Sequence, residues 1–219
     1  MKSSLFARNI KHAKKIQDNL KQLVRIILFR GKVTTVAGVD AAFIEDKVIA
    51  TACLFSFPEI ILSEETSSIM KTPFPYIPGF LSFREGPVVV KALKKLQKRP
   101  DVVLFDGQGI AHPQGLGIAS HIGVILRLST IGCAKSKLVG EYDEPGIPRG
   151  SWNPLRSGKK TIGAVVRTRD NIKPVFVSPG HMIDLQTSIT IVLTTSHRYR
   201  LPEPIRHADR MCRRIKKTM

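Results

Sequence analysis

An α/β fold is the class that the sequence predicts, because strand and helix patterns alternate along the 219 residues. Residues 33–43, 48–55 and 60–64 are rich in small, apolar and β-branched side chains and are separated by short turns, as in an antiparallel meander. The apolar run 102–105 then leads through Asp106 and a glycine turn into a helix around 116–128. Such strand–turn–helix units place functional side chains at the carboxyl edge of a sheet.

Helical patterns flank these strands. Apolar residues recur every three or four positions from Phe6 to Ile27, which predicts an N-terminal amphipathic helix over about 4–30. Pro87 favours a helix start and predicts a helix over 88–98. Pro204 likewise opens a basic C-terminal helix over about 204–217. The length suits one domain, and we expect residues 1–219 to form a single catalytic domain.

Between these helices, the second half of the chain is less regular. Residues 140–160 are rich in glycine, proline and charge and predict a surface excursion. A hairpin is expected from 161–168 and 175–178, and a helix over 181–195.

The chain is strongly basic. Lys and Arg number 35 against 17 Asp and Glu, which gives a net charge of +18 and a pI of about 10.2. This excess is typical of proteins that bind a polyanion, and nucleic acid is the first candidate. An anionic membrane surface is the competing partner, for which only the N-terminal helix offers an amphipathic face.

Membrane-spanning and disulfide-rich classes do not fit the sequence. Apolar runs stay well short of the roughly 18 residues of a membrane span, and the N-terminus does not resemble a signal peptide. Cys53, Cys133 and Cys212 are odd in number and form no CxxC pair, which disfavours a zinc site or a disulfide framework. We therefore expect a protein of the cytoplasm, without a membrane partner, and a monomer.

Three acidic residues from separate elements are candidates for a shared site, and two of them stand in or at the end of apolar strand patterns, where a carboxylate is costly. Asp40 lies within an apolar strand pattern, Asp106 ends another, and Glu85 follows a proline-rich segment. A carboxylate in apolar surroundings is stabilised by pairing or by a cation. Converging oxygen ligands suit Mg²⁺, and two such ions can promote phosphodiester hydrolysis. Each acid taken singly is equally compatible with an ordinary capped or solvated carboxylate.

Two further segments stand out. Four prolines between positions 73 and 87 exclude a helix interior or a central strand, so we expect a stiff surface loop that presents Phe74, Tyr76 and Ile77. The C-terminal segment is the strongest local basic patch, with Asp209 as a lone acid among cations. This patch fits either a solvated tail or a surface that captures phosphates.

Several short segments, spread over most of the chain, form a recognisable series: AGVDAAF at 37–43, PYIPGFLSFREGP at 75–87, VLFDGQGIAHP at 103–113, GIASHIG at 117–123, AKS at 134–136, VSPGHMID at 177–184 and RLPEPIRHAD at 200–209. In these segments and in their order, the chain resembles the endonuclease V family, the deoxyinosine-directed endonucleases. The proline–tyrosine loop followed by Phe-Arg-Glu is the most specific match.

The resemblance implies a ribonuclease H-like fold, with a mixed five-stranded sheet flanked by helices. It implies a DNA repair endonuclease that recognises deoxyinosine and hydrolyses the second phosphodiester bond 3′ to the lesion. The products would carry 3′-hydroxyl and 5′-phosphate ends. The implied cofactor is Mg²⁺, with Mn²⁺ as a substitute, and the implied partner is inosine-containing DNA.

The resemblance also implies roles for individual residues. The family's metal carboxylates match Asp40, Glu85 and Asp106, and Asp209 matches a further metal-proximal position. His112 and Lys135 match catalytic positions close to the scissile phosphate. The family's DNA wedge and lesion pocket match a larger set: Pro75, Tyr76, Ile77 and Pro78 in the wedge, and Leu81, Gly107, Gly117, Ile118, Gly132 and Leu138 in the pocket.

Two other functions stay open at the level of sequence. One is an inosine-specific endoribonuclease that acts on single-stranded RNA, which would need contacts to the 2′-hydroxyl. The other is a basic nucleic-acid-binding protein without catalytic activity. That alternative explains the charge but not the separated acids at the ends of apolar strands.

Overall fold

The computed structural model describes residues 2–219, with side chains from Ser4 onward. Within that range the chain forms eight strands and five α-helices, preceded by a short 3₁₀ turn at Lys2–Leu5. In chain order they are α1 (Ile10–Lys21), β1 (Thr35–Ile44), β2 (Lys47–Ser56), β3 (Leu62–Lys71), α2 (Leu81–Leu93), β4 (Val102–Phe105), α3 (Ile118–Leu126), β5 (Ser129–Ala134), β6 (Trp152–Ser157), β7 (Lys160–Val166), β8 (Val175–His181), α4 (Leu185–Thr195) and α5 (Glu203–Lys217).

All eight described strands form one mixed sheet, in the order β3-β2-β1-β4-β5-β8-β7-β6. The first three strands are the expected antiparallel meander, and β4 and β5 run parallel to β1. The predicted α/β class is confirmed. The sheet has more strands than the expected five, because β8, β7 and β6 continue it beyond β5 by antiparallel pairing. The predicted surface excursion over 140–160 therefore contains a strand, β6.

Helices cover both faces of the sheet, so its central strands are buried on both sides. One apolar cluster joins residues of α2 and α3 to Ala37, Val39 and Phe105. Another joins residues of α4 and α5 to Val36 and Leu104. Strands buried on two faces become almost continuously apolar, and β2 shows this with eight consecutive buried residues.

The C-terminal helix α5 packs against β1 at a point of very close approach. A Cβ atom placed on Gly38 would lie 2.1 Å from the carbonyl carbon of Pro204 and 2.5 Å from the backbone nitrogen of Ile205. Only glycine leaves room for the helix to approach the strand this closely. One turn further on, the buried Thr51 hydroxyl donates to the Ala208 carbonyl oxygen at 2.9 Å. These contacts fix the position of the helix beside Asp40.

The N-terminal helix is shorter than the expected 4–30, since α1 ends at Lys21 although the apolar spacing continues. Long-range hydrogen bonds hold the following residues in another conformation. The Met182 N–H donates to the Arg25 carbonyl oxygen at 2.7 Å, and the Phe29 N–H donates to Asp184 Oδ2 at 3.0 Å. Tertiary contacts therefore override the helical pattern of this segment. At the other end of the chain, α5 agrees closely with the expected 204–217.

The helix expected over 88–98 begins earlier and includes Pro87 in its interior. Its first residue is Leu81, so Pro87 lies in the second turn, where its missing N–H removes one helical hydrogen bond. The bulk of α2 is buried against the sheet, and this packing compensates for the lost bond. As a result, Glu85 projects from the first turns of a helix and not from a loop.

The segment before α2 is partly anchored in the core. The sequence predicted that Phe74, Tyr76 and Ile77 would all be presented at the surface. Phe74 is instead buried, 6% exposed, against Phe80 and Phe83. Tyr76 is 69% exposed and fits the prediction. Burial of Phe74 fixes the base of the loop while its tip stays accessible.

The helix lengths and the three cysteines bear on the predictions about membrane spans and thiols. Among the described helices, none has the length and apolar character needed to cross a membrane. Cys53, Cys133 and Cys212 are all buried free thiols.

The close approach of α5 to β1 predicts a large effect of Gly38→Ala. The added methyl group would overlap backbone atoms that cannot rotate away, so we expect destabilisation by about 3 kcal/mol or more. Gly31→Ala is the matched control, because its Cβ would meet only the Phe29 side chain, at 3.2 Å. Urea unfolding of both variants measures the difference, and equal stabilities would contradict the assigned packing.

Candidate active site

Asp40 and Asp106 leave adjacent strands at neighbouring positions. Strands β1 and β4 are parallel, and Val39 lies opposite Phe105 at the last pair of their register. The next residue on each strand is an aspartate, and neighbouring strands lie about 4.8 Å apart. Although β1 continues along β2 as far as Ile44, Asp40 marks the point where its pairing with β4 ends.

The surroundings of Asp40 oppose its ionisation. Burial raises its pKa to about 7, and the negative charges of Asp106 and Asp209 add to the effect. The backbone N–H of Ala41 and the charge of Lys135 act in the opposite direction without cancelling it. A carboxyl group in this position is stabilised by proton or cation binding.

Glu85 reaches the same region from α2, on one face of the sheet. Its pKa is raised to about 8, chiefly by burial. The negative charge of Asp40 and, more weakly, that of Asp106 also raise the pKa, whereas the positive charge of Arg84 lowers it. Asp209 approaches from α5, on the opposite face. Its Oδ1 accepts a hydrogen bond from Arg213 Nε at 2.8 Å. Four elements thus bring four predicted carboxylates to one edge of the sheet.

Lys135 follows directly after β5 and pairs with Asp106. Its Nζ lies 2.6 Å from Asp106 Oδ2. Burial lowers the pKa of Lys135, but the hydrogen bond to Asp106 and the nearby negative charges outweigh it and raise the pKa. The lysine is therefore a cation held beside the carboxylate cluster.

His112 is a neutral imidazole that lines the same pocket as Asp106 and Lys135. Burial lowers its pKa to about 4. The Gln114 N–H donates to His112 Nδ1 at 3.2 Å, so the ring proton is assigned to Nε2. His112 consequently offers an N–H donor at neutral pH without a positive charge.

A pocket of about 380 Å³ opens beside Asp106, Lys135 and His112. Most of the residues matched to the family's wedge and lesion pocket line it. They are Tyr76, Ile77, Pro78, Leu81, Gly107, Gly117, Ile118 and Leu138. Pro75 and Gly132 are not in the lining, although a Cβ on Gly132 would lie 2.4 Å from the Gly109 backbone nitrogen. Gly132 thus lets the pocket's glycine turn pack onto β5. Their functional roles stay predictions.

Sequence reasoning missed several lining residues. Gln108 lies between two glycines that predicted only a turn, yet it is 7% exposed and its Nε2 donates to the Ser136 carbonyl oxygen at 3.2 Å. Ser136 and Lys137 also line the pocket. The only local signal was their position next to Lys135.

Arg84 links the wedge loop to the sheet. Its guanidinium carbon lies 4.2 Å from the Phe43 ring centroid and 5.9 Å from the Tyr76 ring centroid. Contacts of this kind attract a cation to an aromatic face. They place the exposed Tyr76 ring beside the first turns of α2, the helix that carries Glu85.

A second group of potential ligands, one each from β2, β3 and α5, has the wrong surroundings for a cation. Ligand atoms of Cys53, Glu65 and His207 lie within 4.8 Å of one another. However, Arg210 Nη2 donates to His207 Nδ1 at 3.0 Å, which directs the Nε2 proton toward Glu65. Arg214 also approaches Glu65, at 3.9 Å. Glu65, His207 and the two arginines therefore form a network of hydrogen bonds and one ion pair between β3 and α5.

The fold and the clustered carboxylates define a ribonuclease H-like α/β protein. The family model described as Endonuclease V matches residues 17–210. Endonuclease V of Geotalea uraniireducens is 47% identical over 211 residues, covering 96% of this chain and 90% of that protein. The chain belongs to the Endonuclease V family. Its similarity to these endonucleases indicates that it is a nuclease.

Solved structures agree with this assignment. The Endonuclease V of Streptomyces avermitilis superposes with a TM-score of 0.93 at 38% identity, covering 97% of this chain and 95% of that one. The Endonuclease V of Ciona intestinalis, in complex with a 24mer DNA containing an inosine followed by a ribo-adenosine, gives a TM-score of 0.85. It is 28% identical, and the match covers 95% of this chain and 98% of that one.

The raised pKa values predict a pH-dependent stability of the metal-free protein. Asp40 and Glu85 bind protons more tightly in the folded state than in the unfolded one, where they titrate near 3.8 and 4.5. The stabilisation is complete below those values and is lost as pH rises toward the folded pKa values of about 7 and 8.

Urea unfolding in EDTA at about pH 5 and about pH 8 tests this dependence. We expect the wild type to lose more stability than Asp40→Asn over that interval. Asp18→Asn, which changes an exposed carboxyl group on α1, is the control and should behave like the wild type. An identical loss in Asp40→Asn would show that Asp40 does not carry the effect.

Proposed function

We propose that this protein is a deoxyinosine-directed DNA repair endonuclease. It hydrolyses the second phosphodiester bond 3′ to the lesion and leaves 3′-hydroxyl and 5′-phosphate ends. It acts as a single-domain monomer in the cytoplasm. One observation carries the proposal: four carboxylates from four elements converge beside a glycine-lined pocket with an exposed aromatic loop at its rim.

The carboxylate cluster suits a divalent cation by its donor chemistry. Asp40, Glu85, Asp106 and Asp209 offer only hard oxygen ligands, which favour Mg²⁺ or Mn²⁺ over softer metals. Burial and repulsion already disfavour the ionised forms of Asp40 and Glu85, and a bound cation would relieve that cost. These four residues would hold Mg²⁺, which when bound supplies activation of water and stabilisation of the leaving oxygen.

Lys135 and His112 are suited to contact the scissile phosphate. Lys135 Nζ is a cation beside Asp106, and it can offset negative charge that develops on the phosphate. The neutral His112 offers Nε2–H as a donor to a phosphate oxygen or a water. Both side chains line the pocket, so a nucleotide bound there would have its backbone near them.

The pocket and the wedge loop suit a base that has left the helical stack. Gly107 and Gly117 expose backbone to the pocket, while Leu81, Ile118 and Leu138 supply apolar contacts. Tyr76 is exposed at the tip of a loop anchored by Phe74. An aromatic ring on a fixed loop can enter the duplex and fill the gap that the departing base leaves. The Ciona relative binds DNA that contains inosine, which supports inosine as the base.

An inosine-directed endoribonuclease is the second candidate. The DNA bound by the Ciona relative carries a ribo-adenosine directly after its inosine. A ribose at that position is therefore accommodated in a protein of the same fold. This observation keeps inosine in single-stranded RNA as an alternative substrate for this chain.

A cleavage assay tests the proposed function. Labelled strands with one internal inosine are prepared as DNA, as RNA and as DNA with one ribonucleotide 3′ of the inosine. Each is incubated with Mg²⁺ or with EDTA, and adenosine replaces inosine in the control strands. We expect an Mg²⁺-dependent cut at the second phosphodiester bond, fastest on DNA. Fastest cutting of RNA would establish the alternative, and binding without cutting would indicate a non-catalytic nucleic-acid-binding protein.

Removing a single carboxylate should separate catalysis from binding. We expect Asp106→Asn to lower the single-turnover cleavage rate by at least about 100-fold, because it removes a charged ligand at the reacting phosphate. Its affinity for inosine DNA, measured by fluorescence anisotropy in EDTA, should stay within a few-fold of the wild type. Glu141→Gln changes an exposed acid that is not part of the pocket lining and serves as the control. Normal cutting by Asp106→Asn would refute the assigned cluster.

Loss of the wedge should weaken lesion recognition specifically. Tyr76→Ala removes a ring that would stack on bases, so binding to inosine DNA should weaken by about 1–3 kcal/mol. Binding to undamaged DNA of the same sequence should change much less, and Tyr76→Phe should retain most of the affinity. Anisotropy titrations of both duplexes give the comparison. Equal losses on the two duplexes would argue against insertion of the ring.

A further inference from the structure

Lys135 lies where β5 leaves the sheet and the strand ladder no longer supports its backbone. Pairing of β5 with β4 ends at Gly132, opposite Phe105. Pairing with β8 ends at Ala134, opposite Phe176. Pro174, the residue directly before β8, has no N–H with which to continue the ladder. The carbonyl groups of this stretch are therefore open to hydrogen bonds from a partner outside the ladder.

Arg200 supplies that partner. Its Nη2 donates to the Lys135 carbonyl oxygen at 2.6 Å and to the Pro174 carbonyl oxygen at 2.7 Å. The backbone of Arg200 is fixed in turn, because the buried Thr168 hydroxyl donates to the Arg200 carbonyl oxygen at 2.6 Å. One side chain thus joins the ends of β5 and β8 to the segment that leads into α5.

A second contact holds the neighbouring peptide from the pocket side. Gln108 Nε2 donates to the carbonyl oxygen of Ser136, the residue after Lys135. The consecutive carbonyl groups of Lys135 and Ser136 are therefore held by side chains from two different loops. The Lys135 side chain is 56% exposed, yet its Nζ lies 2.6 Å from Asp106 Oδ2. Fixing its backbone limits the positions that this long side chain can reach.

The arrangement leaves one donor of the Arg200 side chain without a partner. Its Nε is buried and has no hydrogen-bond partner among the described residues. A buried unsatisfied donor is destabilising, so the two hydrogen bonds of Nη2 are formed at a cost to the stability of the fold.

We propose that Arg200 is a positioning residue for catalysis, which acts through Lys135 by fixing the backbone from which the lysine reaches Asp106. Arg200 is not among the residues that line the pocket, which Lys135 does line. This inference rests on the proposed function, because it assigns a role within the same cleavage reaction. It predicts that Arg200 matters for the rate of the chemical step and not for capture of the nucleic acid.

Single-turnover cleavage of inosine DNA by the full chain tests this role. Arg200→Met removes both hydrogen bonds, and we expect the rate to fall by about 10- to 100-fold, as for residues that orient catalytic groups. The dissociation constant for the same DNA, measured in EDTA, should change by less than about 3-fold, a loss small against that in rate. Arg200→Lys keeps the charge and one donor and should recover part of the rate. Arg198→Met, which removes an exposed charge from the same segment, should cleave normally.

A double-mutant cycle with Lys135→Ala distinguishes a positioning role of Arg200 from a general structural role. If Arg200 acts through Lys135, the double variant should be no slower than Lys135→Ala alone. Losses that multiply would overturn the inference, as would a loss of binding as large as the loss of rate. Thermal unfolding checks each variant, and Arg200→Lys replaces Arg200→Met in the cycle if the latter does not fold. A wild type that cuts no inosine strand would instead refute the proposed function, and the inference with it.

Discussion

Repulsion between carboxylates held close together is the constraint on which the arrangement of this sheet edge depends. Asp40 and Asp106 emerge side by side from parallel strands, while Glu85 and Asp209 arrive from helices on opposite faces. Burial and the neighbouring charges raise the pKa values of Asp40 and Glu85 well above those of free carboxyl groups. Such repulsion would separate loosely packed elements. The absence of a Cβ at Gly38 lets α5 sit directly on β1, and this contact keeps the acids together.

Basic side chains of the protein also stabilise the carboxylate cluster. Lys135 pairs with Asp106, and Arg213 pairs with Asp209, so two of the four acids have a basic partner. Asp40 and Glu85, the two more deeply placed acids, instead have strongly raised pKa values. The cluster therefore combines paired carboxylates at its rim with destabilised carboxylates at its centre. Such a combination favours binding of a divalent cation, because a cation relieves the repulsion that the protein's own side chains leave uncompensated.

The sequence predicted those parts of the molecule that depend on local patterns. Apolar runs located β1 and β4 and hence Asp40 and Asp106, because a carboxylate within such a run is conspicuous by itself. Local signals failed where distant contacts decide the outcome. The apolar spacing beyond Lys21 indicated helix, but hydrogen bonds to the region of Met182 hold those residues otherwise. Pro87 suggested a helix start, yet burial of α2 carries the helix through it. Gln108 hydrogen-bonds a residue 28 positions away, and the sequence around Gln108 gives no local indication of this contact.

The central claim, that the four carboxylates form a divalent-cation site, is tested most directly by the effect of Mg²⁺ on stability at about pH 8, near the raised pKa values. A ligand that binds only the folded state at about 100 times its dissociation constant stabilises by about 2.7 kcal/mol. We predict that Mg²⁺ raises the unfolding temperature of the wild type and has little effect on a variant carrying both Asp40→Asn and Asp106→Asn. An equal rise in the two proteins would show that the cation binds elsewhere and would contradict the account.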